Sequence, residues 1–117
     1  MTQATIYHNP RCSKSRKTLQ ILQDQGISIH EIRYLETPPT RDELGALCQA
    51  MAIEPQQLIR TGESLFKELG LSITDPKSRI EWLSILVDNP KLIERPIVRV
   101  CEQVVIGRPP EKVLSIL

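Results

Sequence analysis

The order of apolar and polar positions changes period along the chain. "ATIYH" (4–8) is β-prone and runs straight into Asn9-Pro10, which predicts a short buried strand ending in a turn. From Ser13 to Gln25 the period is helical, with Leu19 and Leu22 on one face and Gly26 just past the end. "ISIHEIRYL" (27–35) returns to β-branched, partly alternating positions and predicts a second strand. Strand, helix and strand within about 30 residues predict a right-handed βαβ unit with parallel strands.

The middle of the chain reads as helical. Thr40 and Glu43 form a capping box, followed by Leu44, Leu47, Cys48 and Met51 at helical spacing. Pro55 suits the first turn of a short helix ending near Arg60, and "ESLFKEL" predicts another, closed by Gly70. Asp75-Pro76 reads as a cap and first-turn proline for a helix through Ile80, Leu83 and Leu86 that stops before Pro90. "PIVRV" (96–100) and "QVVIG" (103–107) predict a hairpin, although Glu102-Gln103 is a weak turn signal. Pro110 opens a final short helix. The whole predicts an α/β fold over 1–117 as one domain: a mixed four-stranded sheet with helices on both faces and a helical insertion at about 40–88.

Composition narrows the function. At 117 residues, with 40% hydrophobic and 3% aromatic, the chain can bury a core, and that core is aliphatic. A net charge of +1 argues against a general nucleic-acid or membrane-surface binder but leaves room for a local cationic pocket. No apolar run approaches the roughly 20 residues that span a bilayer. "MTQATIYH" has neither the charged start nor the long apolar stretch of a signal peptide. Three cysteines, Cys12, Cys48 and Cys101, make no disulfide framework. The expected location is therefore cytoplasmic, where thiols stay free.

"HNPRCSKSRKTL" (8–19) places Cys12 between a turn and a helix start. A free cysteine, with a pKa near 8.5, is only about 3% thiolate at pH 7. Making it mostly thiolate requires roughly 2–3 kcal/mol in favour of the anion. A helix N-terminus supplies about 0.3–1 kcal/mol, occasionally about 2. Cations must add the remainder, and His8, Arg11, Lys14 and Arg16 are near in sequence. Backbone N–H groups from Ser13 to Ser15 can also point at the sulfur. A lone cysteine is more often a small buried hydrophobe, but an apolar site would not be lined with Arg and Lys. His8, next to Cys12 in a turn, is a candidate proton partner. Cys48 reads as core, and Cys101 as core or edge. Because Ser15 stands in the second position of C-x-x-S, an adduct on Cys12 must be released by Cys48, by Cys101 or by an outside thiol. Ser15 can still donate a hydrogen bond to the thiolate or to a bound oxyanion.

"YHNPRCSKSRKTL" (7–19) resembles the active-site loop of the glutaredoxin-coupled arsenate reductases, small bacterial proteins with a thioredoxin-like core. The likeness continues through "LIRTGE" (58–63), "ERPIV" (94–98) and "VVIGRPPEKV" (104–113). The resemblance implies an oxidoreductase in which a cysteine thiolate attacks arsenate. Glutathione, a co-substrate rather than a bound cofactor, then releases arsenite, and glutaredoxin reduces the mixed disulfide. It implies Cys12 as nucleophile and His8 as its base or pKa modulator, with Arg60, Arg95 and Arg108 binding the oxyanion. Pro96 corresponds to the cis-proline that faces the thiol in such folds. Guanidinium groups suit a phosphate-like anion through their forked donors, and Arg16 in the first helical turn is a further candidate. No metal is expected. Ser13 and Lys14 stand where arsenate-active members commonly have a glycine first. Reductases of glutathione-linked disulfides, and Spx-like regulators that bind RNA polymerase, are the alternatives within the same fold. The Spx-like proteins usually carry C-x-x-C, which Ser15 breaks.

Overall fold

The structure is a computed structural model that describes residues 3–117. Met1 and Thr2, part of the stretch read for a targeting signal, lie outside it. The chain divides into two compact units, 3–37 with 95–117, and 38–94.

The first unit contains the sheet. Strand β1 (Gln3–His8) is followed by helix α1 (Ser13–Asp24) and strand β2 (Ser28–Arg33), which pairs parallel to β1. Near the C-terminus β3 (Ile97–Val100) and β4 (Gln103–Ile106) form an antiparallel hairpin, and β3 lies antiparallel to β1. The order β2-β1-β3-β4 gives the mixed four-stranded sheet expected from the sequence. A 3-10 helix, Pro110–Ile116, packs against α1 and β4. Ala4, Ile6, Leu22, Val98, Val100, Val113 and Ile116 form this unit's aliphatic core. The hairpin turns tightly at Cys101-Glu102, where Cys101 adopts the left-handed region at φ 55°. That backbone choice closes a turn whose residues carry little turn signal.

Strand register explains where chemistry can occur. Tyr7 pairs with Ile97, and Ile97 pairs with Ile106. Continuing these ladders by one residue brings Pro96 beside His8 and Gly107 beside Pro96, and the Gly107 N–H donates to the Pro96 carbonyl at 2.8 Å. One residue further, Arg95 faces Arg108. The end of β1 that leads to Cys12 therefore also receives two arginines from the far end of the sequence. Both arginines precede cis prolines, Pro96 and Pro109.

The second unit is helical: α2 (Arg41–Met51), a 3-10 turn (Pro55–Leu58), α3 (Ser64–Glu68), α4 (Arg79–Asp88) and a second 3-10 turn (Pro90–Leu92). Thr40 caps α2 as expected, its hydroxyl accepting from the Glu43 N–H at 3.1 Å. The start of α4 differs from the sequence expectation. Ser78, not Asp75, is the cap, and it forms a capping box with Glu81. Asp75 instead accepts from the Ser72 N–H at 2.9 Å and closes a local turn. Two short polar side chains competed for the helix start, and the one with Glu three residues on forms the reciprocal pair. Leu44, Leu47, Cys48, Leu58, Trp82, Leu86 and Leu92 are buried.

Gly107 is required for steric reasons. A Cβ there would lie 2.7 Å from Thr18 Oγ1 and 2.9 Å from Pro96 Cγ. Gly107→Ala is expected to cost about 1–3 kcal/mol of stability as an overpacked site, measured by the urea midpoint. Adding Thr18→Ala should recover part of that loss, since it removes one of the clashing groups.

Candidate active site

Cys12 is the N-cap residue of α1, with extended backbone angles of φ −92° and ψ 123°. A helix start leaves its first N–H groups without intrahelical acceptors, and a cap side chain normally satisfies one or two. Here that side chain is a thiol. As a neutral group it makes no cap hydrogen bond, but the N–H groups of Ser15 and Lys14 face the sulfur and favour its anion. The first turn, Ser13 to Arg16, carries no carboxylate to compete.

Burial opposes ionisation of Cys12 and is the largest single influence on it. The Ser15 N–H, a hydrogen bond from the Arg95 guanidinium, the Lys14 N–H and the charge of Arg95 together outweigh burial, and the thiol pKa falls below its ordinary value. Arg108 adds a second guanidinium, with Nη2 3.8 Å from Sγ. Its Nε donates to the Arg95 carbonyl at 2.6 Å, which ties the two arginine segments together.

The nearest cations in sequence take other roles. Arg16 donates to the Pro10 carbonyl at 3.0 Å and braces the loop. Lys14 acts on the sulfur through its backbone N–H, and Arg11 is exposed, its own N–H donating to Asn9 Oδ1 at 3.0 Å. The Arg11, Lys14 and Arg16 side chains are exposed, so proximity in sequence does not bring their charges to the sulfur.

Ser15 and His8 form a buried pair, Oγ to Nδ1 at 2.6 Å, and Oγ also accepts from the Asn9 N–H at 3.1 Å. The Ser15 hydroxyl therefore faces His8 and Asn9, where the sequence reading aimed it at the thiolate or an oxyanion. His8 Nε2 faces Glu31 Oε1 at 3.8 Å. Both ring nitrogens are thus turned to groups other than Sγ, and the geometry suits His8 to holding the loop. Burial lowers the His8 pKa most strongly; Glu31 opposes this, while Arg33 and Arg16 add to it.

Arg60 belongs to the second unit. It follows the 3-10 turn Pro55–Leu58, and its N–H donates to the Leu92 carbonyl at 2.8 Å. Its Nη1 is closed to solvent and has no hydrogen-bond partner among the described residues. A cavity of about 260 Å³ opens beside His8, Asn9, Pro10 and Arg11 and is closed by Arg33, Leu35 and Glu36. Cys12 does not line it, so the thiol chemistry lies outside that cavity.

The other two thiols differ sharply from Cys12. Cys48 is fully buried in α2, and burial raises its pKa to about 11, which leaves it unreactive. Cys101 is exposed, but it follows Val100, which pairs with Ala4 at the opposite end of β1 from His8. Four residues of strand span about 13 Å, well beyond the roughly 7 Å Cα separation that a disulfide tolerates.

A family model described as the ArsC family matches residues 7–116. The chain belongs to the ArsC family. It is 45% identical to an uncharacterized Escherichia coli K12 protein, YfgD, over 98% of this chain and 97% of that one. It is 42% identical to an Escherichia coli arsenate reductase over all of this chain and 82% of the relative. An arsenate reductase structure from Vibrio cholerae superimposes with a TM-score of 0.94 at 46% identity, covering 99% of this chain and 98% of that one. The sheet is thus the thioredoxin-like sheet of ArsC proteins.

Sequence reasoning missed Asn9, Thr18, Glu31 and Gly107. Asn9 carried a usable signal, because Asn before Pro often caps a turn with its own side chain. The roles of the other three depend on which strands are neighbours.

Arg95→Ala should raise the Cys12 pKa and slow iodoacetamide alkylation at pH 7 on the order of tenfold, read in a Cys101→Ser background so that only one accessible thiol reports. The unfolded chain protonates His8 near the ordinary value of 6.5, above its folded value, so the stability from neutral His8 is present above that pH and lost as pH falls below it. The urea midpoint should therefore fall more steeply from pH 7 to pH 5 in the wild type than in His8→Gln, which cannot take up the proton.

Proposed function

We propose that the protein is an arsenate reductase that works with a single thiol and depends on an outside reductant. The observation that carries this reading is the sulfur of Cys12 in the cap position, with Arg95 and Arg108 both on it. A reactive thiolate held beside two guanidinium groups suits a tetrahedral, multiply charged oxyanion, since each guanidinium offers paired N–H donors at fixed geometry. The names of the arsenate reductases it resembles point the same way. The resemblance implies Arg60 as an anion-binding arginine too, and its Nη1 is without a hydrogen-bond partner among the described residues.

In the proposed cycle the Cys12 thiolate attacks arsenic, a protonated oxygen leaves as water, and a sulfur–arsenic bond forms. Glutathione then attacks the Cys12 sulfur. The sulfur–arsenic electron pair goes to arsenic, arsenite leaves, and a Cys12–glutathione disulfide remains. Two thiols are oxidised to one disulfide while arsenic gains two electrons, so the step balances. Glutaredoxin, by thiol exchange, returns Cys12 to the thiol. An external thiol fits the positions of the other two cysteines, since Cys48 is buried and Cys101 sits at the wrong end of the sheet. Such a cycle needs a reducing compartment, which we take to be the cytoplasm. No helix among the described residues is long and apolar enough to cross a membrane.

Arsenite formation with glutathione and glutaredoxin tests the proposal. Cys12→Ser is expected to fall to background, while Cys101→Ser and Cys48→Ala keep turnover within about twofold. Equal arsenite formation by wild type and Cys12→Ser would refute it. Turnover of glutathione-linked disulfides without arsenite formation would assign the same thiol to disulfide reduction instead.

A further inference from the structure

Behind the thiol loop, three polar side chains lie in a row across α1, β1 and β2. Ser15 is fully buried and His8 is 3% exposed, while the Glu31 side chain is 35% exposed at the sheet edge. The row runs Ser15 Oγ to His8 Nδ1 at 2.6 Å, then His8 Nε2 to Glu31 Oε1 at 3.8 Å. Its order, hydroxyl then imidazole then carboxylate, matches that of serine hydrolases. With Ser15 sealed from solvent, however, it cannot serve as a nucleophile.

The proton positions follow from counting donors and acceptors. A serine hydroxyl has one proton and two lone pairs. The Asn9 N–H occupies one lone pair of Ser15 Oγ. If Nδ1 carried the imidazole proton, it would donate to Oγ, and the hydroxyl proton would have no acceptor among the described residues. If Nδ1 is bare, the hydroxyl donates to it, both Ser15 Oγ and His8 Nδ1 are satisfied, and the proton sits on Nε2, facing Glu31. At 3.8 Å the carboxylate lies beyond hydrogen-bond range, so it acts by charge. Glu31 is itself oriented by Arg33, whose Nε is 3.4 Å from Oε1. The charged groups acting on His8 are Glu31 and Arg33 from β2 and Arg16 from α1, and only Glu31 favours a proton on the ring.

We propose that Glu31 is a positioning residue: it keeps the His8 proton on Nε2, so that the Ser15 hydroxyl donates to Nδ1 and the first turn of α1 stays aimed at Cys12. The link is covalent at its last step, because Ser15, held through its hydroxyl, also supplies one of the N–H groups that favour the thiolate. In sequence Glu31 looks like an ordinary solvent-facing position of an edge strand. The inference rests on Cys12 being the working thiol but not on arsenate being its substrate.

Two readouts test it, neither requiring arsenate. The chain has two histidines, so ¹⁵N-histidine NMR at neutral pH resolves the His8 tautomer, with a His30→Gln variant giving the assignment. Wild type is expected as the Nε2–H form. Glu31→Ala should mix the tautomers and slow Cys12 alkylation roughly three- to tenfold in the Cys101→Ser background. Glu31→Gln, which keeps the shape but removes the charge, should shift both readouts in the same direction as Glu31→Ala, while Glu31→Asp, which keeps the charge, should stay nearer the wild type. The sign is informative, because removing a nearby negative charge would by itself favour the thiolate and speed alkylation. A wild-type His8 in the Nδ1–H form overturns the proposal. So does a Glu31→Ala variant with unchanged tautomer, or one whose tautomer shifts while alkylation does not slow. Loss of arsenate turnover alone would bear on the enzyme assignment and leave this inference standing.

Discussion

A thiol in the cap position of a helix is the interaction on which the rest of the site depends. A helix start presents N–H groups that lack intrahelical partners, and the first turn of α1 offers those of Lys14 and Ser15 to one sulfur. Ser, Thr, Asp or Asn would satisfy such a helix start while remaining inert. Cysteine satisfies it only weakly as a thiol and well as a thiolate, so the helix end itself favours ionisation. The dipole contribution is about 0.3–1 kcal/mol in ordinary cases, and the sheet adds two guanidinium groups to it. Register places Arg95 and Arg108 opposite one another at the end of β1, and both guanidinium groups reach Sγ.

Holding that helix end in place is the work of hydrogen-bonded polar groups rather than of the aliphatic core. Leu22 anchors α1 in the core through its later turns, but its first turn is fixed by Ser15 on His8 and Asn9 and by Arg16 on the Pro10 carbonyl. Thr18, also buried, faces Gly107, where the absence of a side chain lets the β4 end approach. Directional bonds hold orientation better than apolar contacts do, because a hydrogen bond weakens steeply with angle. That is what an N–H group aimed at one atom requires.

The distribution of thiols sets the redox logic. Cys12 is half-buried and activated, Cys48 is fully buried and held protonated, and Cys101 is exposed at the remote end of β1. One chain thus contains three cysteines in three different states, and sheet geometry keeps the exposed one from the active one. Release of an adduct from Cys12 by a separate thiol is the proposal that this arrangement supports.

Much of the fold was legible in the residues themselves. The strand before Asn9-Pro10, the helix over 13–24, the capped helix after Thr40 and the C-terminal strands all follow from period and punctuation, which are local signals. The α4 cap is Ser78 rather than the expected Asp75 because two local caps competed within four residues. Cys12 itself could be singled out, since a helix start and a turn are local too. Its true cations could not be found by adjacency: Arg11, Lys14 and Arg16 are close along the chain, yet the guanidinium groups on the sulfur come from residues 95 and 108. The sequence alone determined that the Cys12 sulfur stands at a helix start, because a residue's place at a helix end depends on its immediate neighbours. Only the tertiary structure decided what surrounds that atom, because strand pairing joins residues far apart in sequence and side-chain direction is set by the element that carries them.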